Sequence, residues 1–155
     1  MVVGGLYLRG WSVPMVAAAL HEGLAGPFGL AVSGEAGQHL NALRQIVGPK
    51  WLQAYRVDSD REVLQVVRAG VADALVLDED AIEIDSLKLL RMIRRLDEML
   101  LVVLLTGRTN RRRLEEALRL AAFSVVIKPL RLEEMLVQIH RMMVRLDAAM
   151  RSFGP

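Results

Sequence analysis

From Phe28 onward the chain alternates two periods. Short, β-prone apolar runs appear at Phe28 to Ser33, Trp51 to Val57, Ala74 to Leu77, Leu100 to Leu105 and Ser124 to Ile127. Each is followed by a stretch with helical spacing of apolar residues. Gly37 to Val47 places Leu40, Leu43 and Val47 on one face, and Arg61 to Ala69 carries Val63, Leu64, Val66 and Val67. Ser86 to Leu96, Asn110 to Leu120 and the segment from Leu132 onward complete the series. Gly48-Pro49 and Gly70 stop the first two helices, and Asp58-Ser59-Asp60 and Asp85 supply N-caps.

Five β/α units predict an α/β fold. The third and fourth strands are almost wholly apolar, as strands covered on both faces of a parallel sheet must be. Right-handed crossovers then place helices on both faces. The expected closure is a doubly wound, flavodoxin-like sheet of five parallel strands in the order 2-1-3-4-5. Residues 1–27 are expected to form an N-terminal extension, with Ser12 capping a helix from Val13 to about Leu24 that Gly26-Pro27 ends. The main domain is expected over residues 28–144.

The last helix is longer than such a sheet needs. Leu132, Leu136, Ile139, Met143, Leu146, Met150 and Phe153 alternate steps of four and three, a heptad seam. Its first half is expected to pack on the sheet. Residues 145–155 are expected to project as a linker or coiled coil, the coiled coil giving a homodimer through the last helix; the alternative is a frayed or locally packed tail.

Composition narrows the function. The chain has 155 residues, 53% of them apolar, a net charge of +2 and no cysteine. Disulfides, thiolate catalysis and cysteine-held metals are thereby excluded. The longest apolar run, Met99 to Leu105, is too short to span a bilayer. The reading is a soluble, cytoplasmic protein with no membrane partner. Arginines cluster at Arg91, Arg94 and Arg95 and again at Arg108 and Arg111 to Arg113. A solvated helix face accounts for them; contact with phosphate or nucleic acid is the sharper alternative.

Candidate chemistry lies at three strand ends. Asp78, Thr106 and Lys128 each directly follow an apolar run. Adjacent parallel strands end side by side, so a carboxylate, a hydroxyl and an ammonium converge in one crevice. That set suits a site which accepts and holds a phosphoryl group.

With these residues in place, the stretch from about Phe28 to Met143 resembles the receiver (CheY-like) domain of bacterial two-component response regulators. DALVLD ending at Asp78, SLKLLRMIR after it, VVLLTG carrying Thr106, AAFSVVIKPL carrying Lys128-Pro129 and LEEMLVQI occur in the family's order. The resemblance implies that Asp78 accepts a phosphoryl group from a histidine kinase and that Thr106 bonds its oxygens. It also implies that Lys128 pairs with the aspartate or the phosphoryl group, and that the Lys128-Pro129 bond is cis. No enzymatic activity is implied beyond acceptance of that group on the protein's own aspartate.

The departures from the family pattern are specific. Phosphoryl transfer needs its negative charge neutralised, normally by Mg²⁺, which prefers carboxylate and water oxygens. The family's adjacent acidic pair after the first strand is replaced by Ser33-Gly34-Glu35. Asp78, Glu35 and Asp80 are the remaining candidate metal ligands. Ala81-Ile82 replaces the usual Met-Pro, Ser86 a Gly, Val125 the reporting aromatic and Gly107 an Ala. The expected function is a signalling receiver with a degenerate metal site, working through protein–protein contact with a histidine kinase or another signalling protein. The alternative is a phosphorylation-independent pseudo-receiver that dimerises or docks. Nucleic-acid binding through Arg108 and Arg111 to Arg113 lacks aromatic stacking residues and a helix-turn-helix. A nucleotide or flavin enzyme lacks a Gly-rich fingerprint at Ser33 to Gly37, and His21, His39 and His140 lack metal spacing.

Overall fold

A computed structural model describes residues 27–120 and 123–153. The helix expected over 13–24 and its Ser12 cap lie outside these residues. Five strands form one sheet: β1 (Phe28–Val32), β2 (Leu52–Arg56), β3 (Ala74–Asp78), β4 (Leu101–Thr106) and β5 (Ser124–Ile127). Their order is β2-β1-β3-β4-β5 and every pairing is parallel. The described helices are α1 (Leu40–Val47), α2 (Asp60–Ala69), α3 (Ser86–Leu96), α4 (Arg111–Arg119) and α5 (Leu132–Phe153). This is the flavodoxin-like arrangement expected from the strand and helix periods.

Strand alternation divides the core in two. Leu30, Val32, Ala74, Val76, Val103 and Leu105 face α1 and α5. Ala31, Leu75, Leu77, Val102 and Leu104 face α2, α3 and α4. Side chains of a strand alternate between faces, so a buried parallel strand needs apolar residues at every position. β3 meets that requirement and then presents Asp78 at its carboxyl end.

The caps act as their residue types require. Ser59 Oγ accepts from the Glu62 N–H, Asp85 from Leu87 and Lys88, and Asn110 from Arg113. Gly70 ends α2 with φ +68°.

The helix expected over Gly37 to Val47 differs in its first part. A 3₁₀ segment spans Gly34–His39 and the α-helix starts only at Leu40. Gly34, at φ +55°, turns the chain directly out of β1, so the backbone coils sooner and more tightly than apolar spacing alone indicates.

The first half of the α5 seam packs on the sheet, as its spacing predicts, and the packing continues to Leu146. Leu136, Ile139 and Met143 are buried in the cluster beneath α1, and Leu132 and Leu146 pack at its edge. These seam positions face the protein's own sheet, so a second copy is not what covers them. Met150 and Phe153 lie outside the described side chains. Leu146→Ala is expected to cost about 1–2 kcal/mol in chemical denaturation; a projecting helix would lose nothing.

Candidate functional site

The site is built on three neighbouring strand ends. β3 delivers Asp78, and its register places Asp78 beside Leu105, one residue before Thr106. β5 ends at Ile127, and the Lys128 N–H donates to the Thr106 carbonyl at 2.9 Å. Lys128 therefore leaves the sheet beside the crevice. Its bond to Pro129 is cis.

Asp78 is 3% exposed, and both of its carboxylate oxygens have partners. Its Oδ2 accepts from the Glu35 N–H at 2.8 Å. Its Oδ1 accepts from the Asp80 N–H at 2.9 Å and lies 2.6 Å from Lys128 Nζ. The Asp78 N–H donates to Ser33 Oγ at 2.9 Å. Gly34 packs directly on this side chain: a Cβ added there would lie 2.6 Å from Asp78 Cβ and 2.7 Å from its Cγ. The stretch where the acidic pair was expected thus supplies a hydroxyl for the Asp78 backbone and a bare backbone surface against its carboxylate.

Lys128 bridges two carboxylates, with Nζ also 2.8 Å from Asp80 Oδ2. Burial pushes the Lys128 ammonium down, but the hydrogen bonds and charges of Asp78 and Asp80 outweigh that and hold it above the ordinary lysine value. The same bond to Lys128 holds Asp80 below the ordinary carboxylate value. Thr106 is buried at the adjoining strand end, and its Oγ1 accepts from the Arg108 N–H at 2.9 Å.

Glu35 points elsewhere. Its carboxylate accepts from the Leu130 N–H at 2.7 Å, and His39 Nε2 lies 2.7 Å from the Leu130 carbonyl. A carbonyl only accepts, so His39 carries its proton on Nε2 in this contact. Glu35 and His39 together fasten the backbone that follows Lys128-Pro129. Of the candidate metal ligands, Asp78 and Asp80 meet at Lys128, and the Glu35 side chain is committed to Leu130.

Two further elements of the site were not read from the sequence. Ser33 as a partner of the Asp78 N–H has only its position after β1 as a signal. Glu79 has none: its side chain is 4% exposed and lies 3.3 Å from Arg108 Nε and 3.5 Å from Arg113. The second Arg cluster is accordingly largely spent within the chain, with Arg111 on Glu115 and Arg113 also on Asp85. In the first cluster, Arg91 pairs with Glu116, and Arg94 donates to the carbonyls of Leu120, Asp97 and Glu98. Among the described residues, no helix is long and apolar enough to cross a membrane.

Comparison with known proteins places this geometry in context. The profile of the response regulator receiver domain matches residues 35–140. No curated protein sequence matches the chain. Among solved structures, a CheY-like receiver domain protein from Methanospirillum hungatei superposes with a TM-score of 0.68 at 14% identity, covering 80% of this chain and 99% of its own. Chemotaxis protein CheY4 of Vibrio cholerae gives 0.64 at 16% identity, over 76% and 99%. A Burkholderia pseudomallei response regulator, solved with a phosphorylated aspartic acid, a calcium ion and citrate, gives 0.60 at 16% identity, over 83% and 76%. With the sequence profile matching residues 35–140 and the sheet order in agreement, this chain belongs to the response regulator receiver domain family.

Proposed function

We propose that this receiver domain acts in cytoplasmic signal transduction as a protein-docking module whose Asp78 pocket is neutralised by its own lysine. The observation that carries the reading is Lys128 Nζ, 2.6 Å from Asp78 and 2.8 Å from Asp80. The ammonium sits between the two carboxylates that a divalent cation would need. Mg²⁺ demands near-octahedral oxygen ligands and gives up its waters reluctantly. Here one Glu35 carboxylate oxygen serves Leu130, Ser33 serves the Asp78 N–H, and Gly34 brings no side-chain oxygen. The two carboxylates are already matched to an ammonium, and Mg²⁺ would have to displace Lys128 from both. Output that does not wait for phosphorylation follows, with a histidine kinase or another signalling protein as the partner.

The phospho-switch is the second reading. Asp78, Thr106 and Lys128 stand at adjoining strand ends, the arrangement that would receive a phosphoryl group. Incubation with acetyl phosphate and Mg²⁺, followed by intact-mass measurement, separates the two. The docking reading expects an unmodified chain. A phosphoryl adduct that disappears in Asp78→Asn would establish the switch instead.

A further inference from the structure

Beside the Asp78 pocket lies a second charged cluster that the proposed function does not use. Glu79 turns inward from the end of β3, and its side chain is 4% exposed. Ser86 Oγ donates to Glu79 Oε2 at 3.1 Å and accepts from Arg113 Nη2 at 2.7 Å. One hydroxyl thus uses its proton on the carboxylate and a lone pair on the guanidinium. Arg113 also lies 3.5 Å from Glu79 Oε2 and 3.0 Å from Asp85 Oδ1. Asp85 Oδ2 meanwhile caps α3. Arg108, largely exposed, places Nε 3.3 Å from Glu79 Oε1, an ion pair without hydrogen-bond geometry.

These contacts join four separate pieces of chain. Glu79 belongs to the loop after β3, and Asp85 and Ser86 begin α3. Arg108 lies in the loop after Thr106, and Arg113 in the first turn of α4. Within α4 Ala117 is the one fully buried residue; Glu116 pairs with Arg91, and Leu120 at its end packs on the core. Hydrophobic burial of that size does not fix a nine-residue helix. The ionic cluster adds a constraint at its first turn. A buried carboxylate is tolerable only while its partners stay in place, so displacing α4 would take the Arg113 guanidinium from Glu79.

We infer that Glu79 is an internal anchor that pins the first turn of α4 to the start of α3. The helix and the Thr106–Arg108 loop are thereby kept in one arrangement whatever the state of Asp78. The outward side of α4, with Arg112, Leu118 and Arg119 exposed, is then displayed constantly. This consequence rests on the docking reading; the pinning itself does not.

Hydrogen exchange measured by mass spectrometry on the full chain tests the anchor. Glu79→Gln keeps the shape and removes the charge, and Arg113→Met keeps the stem and removes the guanidinium. Val63→Ala, at a buried site on α2, serves as a control that lowers stability elsewhere. Both anchor variants should speed exchange over residues 107–119 by about tenfold or more while α2 follows only global stability. The control should not accelerate that segment selectively. Unchanged exchange there in both anchor variants, or changes that track global stability alike in all three proteins, would overturn the inference. If Glu79→Gln fails to fold, Arg113→Met decides, since Arg113 is less buried. A phosphoryl adduct on Asp78 would overturn the docking reading and leave this exchange result standing.

Discussion

Gly34→Ala is expected to destabilise the protein by about 2–5 kcal/mol, as seen in the denaturation midpoint. Two terms add. The backbone at Gly34 has φ +55°, a left-handed conformation that costs a residue with a Cβ about 1–2 kcal/mol. The new methyl would also meet Asp78 Cβ and Cγ at 2.6 and 2.7 Å. Those atoms sit close to the backbone of a central strand and cannot swing away, and overpacking of this kind costs about 1–3 kcal/mol. The consequence reaches beyond stability. Restoring an acidic residue by Gly34→Asp meets the same obstruction, so it should destabilise the fold rather than recreate a metal site. A stable, Mg²⁺-binding Gly34→Asp protein would show that the pocket is more open than its packing indicates.

Lys128→Met should cost about 3 kcal/mol or more, the typical penalty for removing one partner of a buried ion pair. Asp78 would retain its two backbone N–H donors but lose its only described cation. Asp80 is mostly exposed and its share is small. The double variant Asp78→Asn with Lys128→Met should recover part of the loss, because the uncompensated charge is gone.

The pH dependence carries a definite sign. Lys128 has its value raised, so its contribution is complete below the ordinary 10.5 and fades as pH climbs through the raised value. Asp80 has its value lowered, so its contribution is complete above the ordinary 3.8 and fades as pH falls through the lowered value. Across neutral pH the stability difference between the wild type and Lys128→Met should therefore be level. A difference that already narrows near pH 7 would contradict the ion pair.

The sheet was legible because its signals are local and redundant. β3 reads ALVLD, and four buried apolar residues followed by a carboxylate leave few alternatives to a central parallel strand with a site at its end. Asp85 as the cap of α3 and Asn110 at the head of α4 follow from residue type alone. Direction of side chains was harder. Glu35 stands close enough in sequence to the expected acidic pair to suggest a metal ligand, yet it bonds a residue 95 positions away. The Glu79–Arg113 contact spans 34 positions, and no local pattern announces it. The α5 seam shows a different limit. Repeats of 3.5 and 3.6 residues diverge by only about 20° per heptad, so apolar spacing at the far end of α5 does not say whether Leu146 meets its own sheet or a partner.

The central claim is that Lys128 fills the cation's place beside Asp78. An NMR titration of the isotopically labelled protein with Mg²⁺ and beryllium fluoride tests it most directly, through the amides of Asp78, Asp80, Thr106 and Gly107. With Lys128 held between Asp78 and Asp80, these resonances should hold their positions at millimolar Mg²⁺, with and without beryllium fluoride. Saturable shifts at these four residues that vanish in Asp78→Asn would contradict it.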